Sequence, residues 1–272
     1  MFYKEKEEPE LREELFENPG AAYRGAPFWA WNKKLNKKEL IEQVEQFKKM
    51  GMGGFHIHCR VGLDTEYLGT EFFSCVEACE KKAKEEGLLC YLYDEDRWPS
   101  GSAGGLVTKN PENRTRFLVL SPLGYKETEE EGYMAAAKAV RSKNRTHLGY
   151  YEIILNEDGF LKSYQYSEKK PENDKNIWEA YLEVSGDTPW FNNQAYVNTL
   201  DKRAIRKFLD ITHEQYYEHL GDDFGSEIKS IFTDEPQTTH KGMLITPFDK
   251  EPVITPFTDD FDITFQEKYG YS

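Results

Sequence analysis

The sequence predicts an α/β fold of the (β/α)8 TIM-barrel type, with about the first four strand–helix units present and an antiparallel β subdomain inserted. Strand and helix patterns alternate over residues 26–96, and helical periodicity is lost over residues 115–190. The helix and strand patterns resume from residue 201. A full barrel has eight strand–helix units and takes about 250 residues. Because only about four units are present, we expect the first half of a barrel. An open four-stranded α/β sheet is the alternative.

These patterns divide the chain into three parts. We expect a charged N-terminal lead-in over residues 1–25, a partial barrel formed by residues 26–114 and 191–272, and an inserted β-rich subdomain over residues 115–190. Because a half-barrel exposes apolar strand edges, we also expect self-association or a missing C-terminal half.

The first unit begins with the aromatic strand "APFWAWN" (26–32). Asn36 is a good N-cap for the helix that follows, and Glu39 three residues later suits a capping box. Gly51 ends this helix, because glycine adopts the left-handed conformation common after a last helical turn.

Two more strands flank a second helix. "GGFHIHCRVG" (53–62) alternates apolar and polar residues, and "TEFFSCVEACEKKAKEEG" (70–87) has helical spacing and ends at Gly87. "LLCYLYDED" (88–96) is almost continuously apolar, as in a strand buried on both faces. Helix-length connections predict parallel strands in right-handed βαβ units.

The rest of the chain holds the insertion and a fourth unit. "TRFLVLSP", "YYEIILNEDGFLKSYQYS" and "WEAYLEVSG" predict antiparallel strands, with "NEDG" as a hairpin turn. We then expect a helix over 201–221, a fourth core strand over 227–236 and a last helix over 258–270.

The charge of the chain excludes several classes of partner. The net charge is −14 and the isoelectric point is about 5.0. Nucleic acid and anionic membrane surfaces both select basic proteins, so we expect neither as a partner. No apolar run approaches the roughly 20 residues of a membrane span, and the charged N-terminus has no apolar signal core, which predicts a cytoplasmic location.

The cysteines are expected to be structural. Cys75 and Cys79 lie on the second helix, and Cys59 and Cys90 lie on strands. A zinc site would need paired ligands at loop spacing, which this pattern lacks. We therefore expect four buried, reduced thiols.

The predicted strand ends carry polar and aromatic side chains, although the strand bodies are apolar. In an α/β barrel the active site lies at these carboxyl ends. The candidate binding residues are Trp31 and Asn32 (first strand), His58 and Arg60 (second), Asp94, Asp96, Arg97 and Trp98 (third), and Asp234 (fourth). Glu235, also at the fourth strand end, is the candidate catalytic residue.

Carboxylates from different strands, beside tryptophan and arginine, suggest carbohydrate chemistry. Glycoside cleavage needs one protonated carboxyl as an acid and one ionised carboxylate as a base or nucleophile. Crowded carboxyls supply this pair, because their repulsion raises one pKa. Tryptophan faces stack on sugar C–H surfaces, and arginine and asparagine bind hydroxyls. Solvated carboxylates paired with Arg97 and nearby lysines are the alternative.

Several motifs resemble a known family. "PFWAWN", "GMGGFHIHCRVGL", "YLYDEDRWPSGSAGG", "PWFNNQAYVNTL" and "IFTDEP" resemble, in order and spacing, the N-terminal half of the catalytic barrel in glycoside hydrolase family 106-like proteins. That family is best known for α-L-rhamnosidases. The resemblance covers roughly residues 26–270, and "DEDRWPSG" is its most specific part.

The resemblance implies an inverting glycoside hydrolase whose general acid is a strand-end glutamate, a role that falls on Glu235. It also implies a catalytic base on a strand beyond residue 272, so that this chain by itself is expected to be inactive. Calcium (Ca2+) is associated with the family, and the acidic cluster offers oxygen ligands, although the metal ligands stay unassigned. His56 departs from the apolar or aromatic residue expected at its position.

Two other functions remain open from the sequence. His56 and His58 could be zinc or iron ligands of a metal-dependent hydrolase. The other histidines, however, lie in the predicted insertion, on a helix or in a loop. The third possibility is a barrel fragment that binds carbohydrate without cleaving it.

Overall fold

The computed structural model describes residues 12–126, 139–172, 176–238 and 241–271. The described residues form two units, one from Met1–Gly104 and Phe208–Glu235, the other from Gly105–Lys207 and Pro236–Ser272. Part of the predicted lead-in (1–11) and parts of the predicted insertion (127–138 and 173–175) lie outside the described ranges.

The first unit is built on a parallel sheet with strand order β1-β2-β3-β8. Its elements are α1 (Glu13–Glu17), β1 (Phe28–Trp31), α2 (Lys37–Lys49), β2 (Gly54–Cys59), α3 (Thr70–Glu86), β3 (Leu89–Tyr93), α4 (Lys202–Ile211), α5 (His213–Leu220) and β8 (Ile228–Phe232). The three pairings β1·β2, β2·β3 and β3·β8 are all parallel, as expected. Helix α4 contributes only its last residues to this unit.

The helix ends follow the sequence signals. The Asn36 side chain accepts hydrogen bonds from the backbone N–H groups of Lys38 and Glu39 at 3.0 and 3.2 Å, which confirms the N-cap of α2. Gly87 ends α3 with φ +66°, a conformation that favours glycine. The predicted helix over 201–221 is divided at Thr212, whose hydroxyl donates to the Phe208 carbonyl. A hydroxyl that bonds to the carbonyl four residues earlier often bends a helix.

The core of the first unit lies between one face of the sheet and helices α2, α3 and α5. Val44, Phe72 and Tyr216 are fully buried in the same hydrophobic cluster as Phe55 and Ile57 of β2. All four cysteines are buried and free of disulfides, as the sequence predicts. Alternate residues of each strand therefore face the helices, and the residues between them form the opposite face of the sheet.

The prediction of a half-barrel is wrong. The described part of the sheet is open, with β1 and β8 as its two edges, and no barrel forms. A barrel needs a strand after β8 that continues the parallel sheet. The next described strand, β9 (Val253–Phe257), instead pairs antiparallel with β4 (Arg116–Pro122) in the second unit.

The second unit holds an antiparallel sheet of order β6-β5-β7-β4-β9. Its remaining strands are β4 (Arg116–Pro122), β5 (Arg145–Leu155), β6 (Leu161–Ser167) and β7 (Ile177–Val184), and helix α6 (Phe261–Tyr269) follows β9. Four of the strands and the "NEDG" hairpin match the prediction. β9 was not predicted, because Pro252 and Pro256 argue against a strand. An edge strand, however, tolerates proline.

An ion-paired glutamate is buried in the second sheet. The Glu183 carboxylate is fully buried, accepts a hydrogen bond from Arg141 at 2.6 Å and forms an ion pair with Arg145 at 2.6 Å. The two guanidinium groups offset the cost of burying its charge.

Across the described residues, no helix has both the length and the apolar character needed to cross a membrane.

Candidate active site

The carboxyl ends of β1, β2, β3 and β8 meet at one edge of the parallel sheet. The residues that follow these strands include Asn32, Arg60, the loop 94–104 and the segment 233–235. Because parallel strands all end at the same edge, side chains distant in the sequence come together there. This edge of the first unit is the candidate site.

Asp94 joins the ends of β3 and β8. Its carboxylate is fully buried and accepts hydrogen bonds from the hydroxyl groups of Ser100 at 2.7 Å and Thr233 at 2.6 Å. Burial raises the pKa of Asp94, while the two hydroxyl donors and His213, whose Nε2 lies 3.8 Å from Oδ2, lower it. Asp94 therefore connects the ends of β3 and β8 through buried hydrogen bonds.

Ser100 completes the connection between the two strand ends. Its backbone N–H donates to the Asp234 carbonyl at 2.8 Å, and its Oγ accepts from the Asp234 N–H at 2.9 Å. The same hydroxyl donates to Asp94. Ser100 thus fixes the backbone of Asp234 from both sides, just before Glu235.

We expect Ser100→Ala to lower the free energy of unfolding by about 1–3 kcal/mol, because the Asp234 N–H and one Asp94 oxygen lose their buried partner. Urea unfolding followed by circular dichroism measures the change. The exposed Ser163→Ala is the matched control and should stay within about 0.5 kcal/mol of the parent chain. Equal losses in both variants would contradict this role of Ser100.

Glu95 organises the loop after β3. Its side chain is 1% exposed, and its carboxyl oxygens accept hydrogen bonds from the backbone N–H groups of Asp96 and of residues 101–104. Burial raises its pKa to about 8, whereas the N–H donors act in the opposite direction. The glycine-rich segment "SGSAGG" therefore wraps around a carboxylate of its own chain.

The backbone of this loop explains its composition. Gly101 and Gly104 have φ values of +139° and +61°, and Ala103 has a φ of +49°. Glycine adopts these angles without steric cost, so successive N–H groups can turn towards one acceptor.

Trp98 and Glu235 are in direct contact. The Trp98 indole N–H donates to Glu235 Oε2 at 2.9 Å. Glu235 has a φ of +42°, which is rare for a residue with a side chain and is found mostly where a site requires it. Glu235 is exposed and Trp98 is half-buried, so both can meet a ligand from solvent.

Asp234 is half-buried beside Glu235. Burial is the main cause that raises its pKa, and the charge of Glu235 adds to it. Arg60 and the Tyr93 hydroxyl lower the pKa of the same carboxyl. The end of β2 and the end of β8 therefore interact electrostatically through Arg60 and Asp234.

Asp96 and Arg97 form a pair within the loop. Arg97 Nε and Nη2 donate to Asp96 Oδ2 at 3.0 and 2.7 Å, and Asp96 is buried. Asn32 is exposed after β1. Trp31 is 1% exposed and packs against Trp29 and Phe72 on the helix-covered face, so its ring is not at the surface of the site.

The two histidines of β2 lie on the face opposite the helices and form aromatic stacks. His58 stacks on Tyr93 with ring centroids 3.9 Å apart, and His56 stacks on Tyr91 at 4.5 Å. Burial lowers the pKa of His58 to about 4 and also lowers that of His56. Their Nδ1 atoms contact the carbonyls of Cys59 and Ala26. These rings are thus neutral packing groups at neutral pH.

The carboxyls of the acidic cluster already have hydrogen-bond donors within the chain. The oxygens of Asp94, Glu95 and Asp96 accept hydrogen bonds from hydroxyl, N–H and guanidinium donors, which leaves them poorly placed for a shared cation. Within the described ranges, no group of three or more His, Cys, Asp or Glu side chains could hold a metal ion. Calcium binding by this chain stays a prediction.

Sequence reasoning missed the internal roles of Glu95, Ser100, Thr233 and His213. Alternation along β3 places Glu95 on the face opposite Asp94 and predicts a pairing with a helix, whereas the structure pairs it with backbone N–H groups of its own loop. The available signal was a glutamate followed within a few residues by several glycines and serines, a composition that can present backbone N–H groups to an anion.

Comparison with known proteins adds little to this description. No family model and no curated protein matches the sequence. Among solved structures, a rhamnosidase from Novosphingobium sp. PP1Y aligns with a TM-score of 0.35 and 16% identity, over 55% of this chain and 16% of that chain. A likeness this weak carries no argument about fold or function, and the family resemblance seen in the sequence stays a prediction.

Proposed function

We propose that this protein is a glycoside hydrolase-like protein that binds and cleaves a glycosidic linkage at the carboxyl edge of its parallel sheet. Glu235 is the proposed catalytic carboxyl. The substrate class is a carbohydrate, with an α-L-rhamnoside as the first sugar to test. Neither a nucleic acid nor a membrane is part of the proposal, and a cytoplasmic location stays a prediction.

The observation that supports this proposal most is the group formed by Glu235, Asp234 and Trp98. Two adjacent carboxyls retain one proton more strongly than either would alone, because ionising the second works against the charge of the first. The Trp98 N–H stabilises a negative charge on Glu235. The pair can thus supply the proton for a leaving glycosidic oxygen and hold the charge that remains.

The neighbouring residues suit a sugar. Arg60 and Asn32 are exposed at the same edge of the sheet and can donate hydrogen bonds to hydroxyl groups. The half-buried Trp98 ring offers a flat surface for sugar C–H groups. The Asp96–Arg97 pair and the Glu95-centred loop keep this arrangement rigid. A rigid set of polar groups is what specific binding requires.

A panel of aryl glycosides, including the α-L-rhamnoside, tests the proposal directly. Release of the aryl group by the chain supports the hydrolase function. Binding measured by calorimetry or by tryptophan fluorescence, without release, would reduce the function to carbohydrate binding. If no sugar of the panel is bound or cleaved, the proposed function is wrong.

A further inference from the structure

The outer side of β6 is an open strand edge in the second unit. β6 (Leu161–Ser167) is the first strand of the antiparallel sheet, and no described strand pairs with its outer side. All its residues except Ser167 are exposed. Unpaired N–H and C=O groups along such an edge can pair with a strand from another chain. The edge therefore has room for one more strand.

The backbone groups of Tyr164 and Tyr166 point away from the sheet. The Ile153 N–H of β5 donates to the Asn176 carbonyl at 3.0 Å, on the side of β5 where β7 lies. Ile153 is opposite Tyr164 in the β5·β6 register, so these two residues form a non-hydrogen-bonded pair. In such a pair the N–H and C=O groups of both residues point away from each other. Alternation along the strand gives Tyr166 the same outward direction.

The sequence of this edge is complementary to itself. Residues 162–168 read "KSYQYSE", in which "SYQYS" is the same in both directions and the two flanking residues have opposite charges. When two copies pair antiparallel about the central glutamine, Tyr164 of one copy faces Tyr166 of the other, and Lys162 faces Glu168. The outward backbone groups of the tyrosines then meet and can exchange N–H···O=C bonds.

The charges favour this register over its neighbours. Opposite charges directly across two strands stabilise their pairing, whereas like charges weaken it. Lys162 and Glu168 are both exposed, and the pairing about the central glutamine joins them twice. A register moved by one pair would place Lys162 opposite Lys170 in one direction and opposite Tyr166 in the other. Only the central register matches both charges.

The tyrosine rings add an aromatic contact to the same edge. Tyr164 and Tyr166 are 54% and 51% exposed, and their ring centroids lie 6.1 and 5.3 Å from that of Tyr151 on β5. The Tyr166 hydroxyl donates to the Leu148 carbonyl at 3.0 Å. These rings are thus supported by β5 and still open to a partner. Aromatic pairs across two strands stabilise the pairing.

We propose that two copies of this chain associate through β6, paired antiparallel about Gln165, so that their antiparallel sheets become continuous. Because both copies use the same edge, the contact is closed and ends at a dimer. Two short strands bury less than the roughly 1,200 Å² of standard interfaces. We therefore expect a weak dimer with a dissociation constant of about 10–100 μM. The inference does not depend on the proposed hydrolase function, because it uses no residue of the candidate site.

Sedimentation velocity of the full chain tests the dimer. The unmodified chain should pass from monomer to dimer between about 5 and about 500 μM. Lys162→Glu and Glu168→Lys each place like charges opposite each other, so each variant alone should dimerise about tenfold more weakly. An equal mixture of the two variants restores opposite charges at both positions and should dimerise as tightly as the unmodified chain. The exposed Lys143→Glu, which lies outside β6, is the matched control and should leave the dissociation constant unchanged.

Hydrogen exchange of the unmodified chain gives a test that needs no variant. The outward amides of Tyr164 and Tyr166 should become more protected as the chain concentration rises through the same range. The Gln165 amide points towards β5 and should keep the same protection throughout. The proposal is overturned by a chain that stays monomeric at about 500 μM, by a dimer that neither charge variant weakens, or by a mixture as weak as its components. Tyrosine amides whose protection ignores concentration would overturn it as well.

Discussion

Replacing Glu95 with glutamine is expected to lower the free energy of unfolding by about 3–5 kcal/mol. The side chain is buried, and its carboxyl oxygens accept hydrogen bonds from backbone N–H groups of the loop. Glutamine would place an NH2 group against these donors, so that several buried N–H groups would lose their acceptor at once. Since domains are stable by about 5–15 kcal/mol, this is a large share of the total.

Urea unfolding by circular dichroism measures this loss, and limited proteolysis reports whether the loop 96–104 opens. Glu42→Gln, an exposed change of the same chemistry on α2, is the control and should stay within about 0.5 kcal/mol of the parent chain. If Glu95→Gln does not fold, Glu95→Asp retains two acceptor oxygens and should show a smaller loss. A Glu95→Gln variant as stable as the control would show that the loop does not depend on this carboxylate.

The effect would reach the candidate site through the backbone. Ser100 lies between the residues that Glu95 holds and the strand end that carries Asp234. Trp98 lies in the same loop and donates to Glu235. Loss of Glu95 should therefore disturb Glu235 without any direct contact between the two carboxylates.

The sequence predicted the local elements of the first unit well, because strong local signals determine them. The Asn36 cap, the Gly87 end of α3 and the apolar strands β2 and β3 each depend on a few neighbouring residues. The closure of the sheet depends on where the chain goes after β8. The chain forms β9, which pairs with β4 instead of extending the parallel sheet. This pairing could not be predicted from the sequence, because the segment that forms β9 contains proline.

The edge of the sheet at which the candidate residues lie was predictable, and their individual contacts were less so. The rule that sites form at the carboxyl ends of parallel strands placed Arg60, Trp98, Asp234 and Glu235 at one edge. It did not separate carboxylates that face solvent from those that hold the protein together. Asp94 and Glu95 belong to the second kind, because their donors are hydroxyl and backbone N–H groups that a folded loop brings near. Trp31 has the residue type of a sugar platform, but strand alternation turns it into the core.

If the chain cleaves an aryl glycoside, Glu235→Gln is expected to reduce turnover by about 10²- to 10⁴-fold, the usual contribution of a general acid or base. Sugar affinity should change little, because glutamine keeps the size of the side chain and its hydrogen-bonding oxygen. Initial rates and calorimetry, measured on the same preparation, separate the two effects. The exposed Glu251→Gln is the control for loss of a negative charge and should leave both unchanged.

Trp98→Phe distinguishes a catalytic Glu235 from an exposed glutamate of no consequence. Phenylalanine keeps an aromatic surface but removes the N–H that stabilises the charge on Glu235. Loss of that donor leaves the Glu235 carboxylate without its indole partner, so turnover of the aryl glycoside should fall in Trp98→Phe by part of the loss expected for Glu235→Gln. Initial rates of the two variants, measured side by side, check this expectation. Full turnover in both variants would remove Glu235 from the reaction and leave Asp234 as the carboxyl to test.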